Sequence, residues 1–128
     1  MEMREIKVRA WYKPYKQMCN VSMLQFDYDG TICATVIIEK PFNDRRLVEA
    51  DEIVIEQFTG LKDKNGTEIY DGDILIDDTG EPIEYWVVKF SDGGFVGKCT
   101  GVAEPLFELT NLEVIGNIHK NPEPVEEK

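Results

Sequence analysis

Apolar and polar residues alternate along the first segment of the chain. Ile6, Val8 and Ala10 fall on one face, and Glu5, Lys7, Arg9 and Trp11 on the other. A period of two is the pattern of a half-buried strand. Lys13-Pro14 and Lys16 then mark a turn, because proline has no N–H to give to a ladder. Val21 to Tyr28 and Thr31 to Glu39 are both rich in β-branched and large apolar residues. Asp29-Gly30 lies between them and tolerates the positive φ of a tight turn, so residues 18–39 read as a hairpin.

Residues 41–52 lack strand alternation. Asn43 or Asp44 could cap a short helix there, and otherwise the stretch is a linker. It is the expected subdomain boundary, and any helix is expected there. Ile53 to Phe58 returns to strand-like alternation. Beyond it, glycines 60, 66, 72, 80, 93, 94, 97, 101 and 116 cut the chain into short pieces. Asp73–Asp77, Ile83–Phe90, Phe95–Cys99 and Leu112–His119 read as strands, with Ser91-Asp92-Gly93-Gly94 as a turn. Many short strands with glycine turns point to a small closed barrel or a sandwich. The expected organisation is an N-terminal β subdomain over 1–52, a C-terminal β-barrel subdomain over 53–120 and a flexible acidic tail over 121–128.

Composition narrows the class. A chain of 128 residues is the size of one ordinary domain, and 42% hydrophobic with 30% charged residues is globular composition. The longest apolar runs, such as the one through Thr35-Val36-Ile37-Ile38, fall far short of the roughly 20 residues a spanning helix needs, so no membrane partner is expected. The first five residues, Met1-Glu2-Met3-Arg4-Glu5, have no apolar core behind their charges and do not read as a secretion signal. Cys19, Cys33 and Cys99 are odd in number and widely spaced, which fits reduced thiols in a cytoplasm. With a single histidine, His119, and no Cys-x-x-Cys pair, zinc-ligand spacing is missing.

The net charge of −11 is uneven. Residues 49–84 hold 2 basic and 12 acidic side chains, whereas residues 1–48 hold 8 basic and 6 acidic. Such an acid-rich stretch repels nucleic-acid backbones and attracts basic partners. As a structural feature it is simply a solvated face.

Three blocks resemble the YopX family of phage and prophage proteins. They are Arg4-Glu5-Ile6-Lys7-Val8-Arg9-Ala10-Trp11, QFTGLKDKNGTEIYDGDIL over residues 57–75, and EVIGNIHKNP over residues 113–122. Val8 stands where the family pattern has an aromatic residue, and Tyr12 where it has an acid. The resemblance implies a mainly β protein, β-rich α+β, with N-terminal strands and a hairpin followed by a small C-terminal SH3-like barrel. It implies a phage or prophage gene and therefore a bacterial cytoplasm. It implies no enzyme activity and carries over no functional residues. Taken by itself the central block is a structural signature. Lys64-Asn65-Gly66 suits a hairpin turn with φ > 0 at both Asn65 and Gly66, and Tyr70-Asp71-Gly72-Asp73 launches the next strand.

Several groups of residues bear on chemistry. Asp71, Asp73, Asp77 and Asp78 are close in sequence, but the calcium-loop spacing is not met, since Gly66 comes two positions early after Asp63 and Asn65. A strand would also send Asp78 to the face opposite Asp73 and Asp77. His119, at the end of a strand, needs a nearby nucleophile or acid to act as a base; no sequence feature selects a cysteine for it, and buried strand thiols such as Cys33 are ordinarily inert. Trp11, Tyr12 and Tyr15 interleave with Arg9, Lys13 and Lys16, a pattern that can grip single-stranded nucleic acid. Packing of Trp11 on the barrel with snorkelling lysines is the favoured reading, because the rest of the chain is too acidic to attract nucleic acid over distance. The expectation is therefore no catalytic residue, no metal or cofactor ligand, no nucleic-acid partner, and a non-catalytic module that binds a bacterial host or phage protein or assembles with itself as a homo-oligomer. The alternatives are an acidic nucleic-acid mimic that inhibits a host protein, and an enzyme with an unfamiliar site.

Overall fold

The computed structural model describes residues 6–122. The described residues are mostly β, 59% of them in strands and 9% helical. The eleven strands are β1 (Val8–Tyr12), β2 (Gln17–Phe26), β3 (Ile32–Glu39), β4 (Asp44–Val48), β5 (Ile53–Lys62), β6 (Glu68–Tyr70), β7 (Asp73–Asp77), β8 (Glu84–Ser91), β9 (Gly94–Cys99), β10 (Val102–Pro105) and β11 (Glu113–Asn117). Two compact units divide at Gln57/Phe58. The expected tail residues Glu123–Lys128, and Met1–Glu5 with the first two residues of the first family block, lie outside the described residues.

The first unit, Lys7–Gln57, is an antiparallel sheet in the order β4-β3-β2-β1 with the first half of β5 beside β1. The 18–39 hairpin forms as expected from its turn signal: Asp27 N donates to Thr31 O and Gly30 N to Asp27 O. Ala10, Tyr12, Cys19, Ile37, Val48 and Ile53 make its core. Both neighbours Ala10 and Trp11 are buried, at 0% and 8% exposure, so β1 is covered on two faces rather than one.

Residues 44–48 form edge strand β4, where the sequence pattern suggests helix or linker. Arg46 and Val48 alternate onto the same face, but only Val48 is buried and Arg46 stays exposed. Arg46 salt-bridges Glu39 at 2.7 Å and stacks over two tyrosines, so a charged side chain occupies a position that alternation would give to an apolar one. Helix is not confined to 41–52 either. Single 3₁₀ turns occupy Lys13–Tyr15, Ala50–Glu52 and Leu106–Leu109. Each is only a turn or so long, too short for a 3.6-residue period to register.

The second unit, from Phe58 onward, carries the end of β5 paired with β6, and a five-stranded sheet in the order β10-β9-β8-β7-β11. Its strands are antiparallel neighbours, but the sheet stays open, with β10 and β11 as its two ends. The closed SH3-like barrel is not formed. Ile69, Leu75, Trp86, Val88, Leu106, Leu109 and Leu112 build the core on one face. Gly97, opposite Val88 on that face, is required by close approach: a Cβ there would run into Leu109.

Candidate functional site

The family blocks are accounted for first by local geometry. Asp63 is 6% exposed, and its two carboxylate oxygens take three backbone donors. Oδ1 accepts from Asn65 N at 2.8 Å and Thr67 N at 2.9 Å, and Oδ2 accepts from Val114 N at 2.8 Å. Lys64 N donates to Leu112 O, and Ile118 N to Gly72 O. The central block and the last block are therefore stitched together by backbone. Burial alone pushes the Asp63 carboxyl up, but the three N–H donors outweigh it and hold the group below its ordinary value. The turn differs from expectation: Gly66 has φ +84° but Asn65 does not enter the left-handed region. The side chain of Asp63 holds the loop in place of a primed turn.

The last block has a similar role. A bulge at Ile115 shifts the register between Val114 and Gly116 and ends the simple alternation expected over Leu112–His119. Asn117 thus turns inward, and its Oδ1 accepts from the backbone of His119 and Lys120. The strand stops at Asn117, and His119 sits in the turn that follows.

The four aspartates of 71–78 do not gather. Asp73 is 2% exposed and accepts Tyr70 N, whereas Asp77 binds Thr79 through its backbone and hydroxyl. Four residues along a strand separate the two by roughly 13 Å. Among the described residues no group of three or more His, Cys, Asp or Glu side chains is arranged to hold a metal ion. Of the thiols, the exposed one is Cys33, and Cys19 is the buried one. Burial, and then Glu39, raise the Cys19 pKa.

The acid-rich stretch 49–84 is not one solvated belt. Glu56 is 3% exposed and pairs with Arg9 at 2.9 Å, and Asp63 and Asp73 are buried as above. Glu52 closes a capping box with Glu49. The basic-aromatic segment is likewise consumed locally. Trp11 is buried. Tyr12 and Tyr15 meet edge-on at 5.2 Å, and Arg46 lies 5.9 and 5.5 Å from their centroids. Lys13 donates to Asp51 O.

An open cleft of about 560 Å³ lies on the other face of the five-stranded sheet, and no sequence motif marks it. Strand alternation places Trp86 and Val88 in the core, so Tyr85, Val87 and Lys89 of β8 face the cleft. Lys98 of β9 stands directly opposite Val87. Val87 is the buried floor, and Ile83 and Val102 form an apolar rim at 51% and 49% exposure. Glu84 marks one end and Lys89 the other. Neither Lys89 nor Lys98 makes an ion pair among the described residues. The visible signal is only the alternation of Tyr85, Val87 and Lys89. It could not be read as a site, because an ordinary half-exposed strand looks the same.

The open β-sheets and the turn-setting blocks match a known family. The chain belongs to the YopX family: the model described as YopX protein matches residues 7–126. It is also similar to protein EF1440 from Enterococcus faecalis. That crystal structure superposes with a TM-score of 0.71 at 29% identity, covering 97% of this chain and 100% of the other. A search of the curated proteins gives no match. Among the described residues, no helix is long and apolar enough to cross a membrane.

Proposed function

We propose that this YopX-family chain is a non-catalytic protein-interaction module, encoded by a phage or prophage and acting in the bacterial cytoplasm. The observation that carries this reading is the cleft on β8 and β9. It combines a buried apolar floor, an exposed apolar rim and two lysines without ion pairs among the described residues, in a protein of net charge −11. Exposed apolar residues rimmed by charge are the ordinary mark of a docking surface. Three free cysteines fit a reducing compartment.

A nucleic-acid mimic needs its carboxylates at the surface, and three of the twelve in 49–84 point inward instead. Self-assembly through a basic N-terminal face is also less favoured, because Arg9 and Arg46 are engaged within their own unit. The test is affinity capture from host lysate with the wild-type chain and with Val102→Glu, which places a charge on the exposed rim. The expected result is a partner held by the wild type and lost by the variant. Equal capture by both removes the cleft from the function.

A further inference from the structure

We infer that the cleft takes an extended acidic peptide segment of a partner protein, with carboxylates at alternate positions. The inference rests on the docking reading above and adds the chemistry of the occupant. Lys98 lies opposite Val87, and Lys89 is two residues further along β8 on the same face. The two lysines are therefore diagonal neighbours, with Cα atoms about 7–8 Å apart. Alternate side chains of an extended peptide are separated by about 6.6–6.8 Å. A segment with acids two residues apart thus presents one carboxylate to each lysine.

The rest of the cleft sets the remaining chemistry. From Glu84 to Lys89 the floor runs five residues, roughly 17 Å of extended chain. Tyr85, Ile83 and Val102 offer apolar contact toward the Glu84 end of the cleft. The best-fitting segment is therefore apolar at one end and doubly acidic at the other. A sheet face with an exposed rim suits a chain laid across it better than a small molecule, which is ordinarily enclosed on most of its surface.

The test uses the full chain, labelled with ¹⁵N, and a seven-residue acetylated and amidated peptide. The peptide has valine at positions one and three, glutamate at five and seven, and threonine between. A twin peptide replaces both glutamates with lysine. The expected result is saturable shifts of the Val87, Lys89, Lys98 and Val102 amides with the acidic peptide only. Lys89→Glu with Lys98→Glu should weaken binding by about tenfold or more, since two surface charge contacts are reversed. Both lysines are exposed, so the variant folds, and its unchanged spectrum away from the cleft verifies this. Equal shifts with the twin peptide, shifts elsewhere on the chain, or none at low-millimolar peptide overturn the inference. A lysate partner kept by the lysine variant but lost by Val102→Glu also overturns it, while leaving the docking reading intact.

Discussion

The carboxylate of Asp63 accepts the backbone N–H of Val114, 51 residues further along the chain, at 2.8 Å. One side chain thereby joins the turn between β5 and β6 to the start of β11. Asp63→Ala leaves three N–H groups without their acceptor, and the measured cost of such losses is about 1–3 kcal/mol each, not fully additive. A total loss of about 3 kcal/mol is expected by urea denaturation. Asp63→Asn keeps an acceptor for Asn65 and Thr67 but turns an NH₂ toward Val114 N, so about 1–3 kcal/mol is expected. A loss under half a kcal/mol for Asp63→Ala would show that the turn holds without the carboxylate.

The same contact predicts an acid sensitivity. The folded Asp63 pKa lies below its ordinary value of 3.8. Its contribution is therefore fully present above about pH 4 and is lost as pH falls through the folded pKa. Between neutral pH and pH 4 the stability gap between wild type and Asp63→Asn should stay constant. Below that it should narrow. Paired unfolding curves against pH test this, and a gap that widens in acid contradicts the sign.

Arg9 and Glu56 form an ion pair with Glu56 only 3% exposed. Breaking a buried pair from one side costs about 3–5 kcal/mol, whereas replacing both partners with apolar residues is often near neutral. Arg9→Met is expected at about 3 kcal/mol, and Arg9→Met with Glu56→Leu at much less. A double-mutant cycle followed through the buried Trp11 measures the difference. Additive single effects would remove the coupling.

Two glycines should respond for different reasons. Gly97→Ala drives a methyl into Leu109, a core residue, and overpacking of this kind costs about 1–3 kcal/mol. Gly66→Ala meets nothing in space but must hold φ near +84°, which costs about 1–2 kcal/mol. Enlarging the pocket with Leu109→Ala should rescue Gly97→Ala in part and leave Gly66→Ala unchanged. Thermal unfolding of the four variants decides between the mechanisms.

Much of the secondary structure was legible. The hairpin over 18–39, the strand Asp73–Asp77 and the pairing of β8 with β9 follow from alternation and turn residues. What was missed has physical causes. Strands β6 and β10 are three and four residues long, too short for period two to stand out. Strand β4 is exposed at four of its five positions, so no buried alternation marks it. The bulge at Ile115 breaks the alternation that the reading of β11 relied on.

The clearest division lies in two turns of nearly the same sequence, Asp27-Tyr28-Asp29-Gly30-Thr31 and Asp63-Lys64-Asn65-Gly66-Thr67. Each closes with the same two backbone bonds, from its first aspartate N–H to its threonine carbonyl and from its glycine N–H to that aspartate carbonyl. Local chemistry alone determines this, because aspartate, glycine and a positive φ suffice. Their fates differ. Asp27 is exposed, whereas Asp63 is buried against β11 and receives a donor from Val114. Whether a carboxylate is solvated or becomes a long-range tie depends on which strand passes within 3 Å of it. The same holds for the cleft, where Lys89 and Lys98 become neighbours only through the register of β8 on β9. Hydrogen-bonded turns are written in short stretches of chain. Burial, registry and the meeting of distant residues arise only when the strands pair, since those energies belong to contacts that no local segment contains.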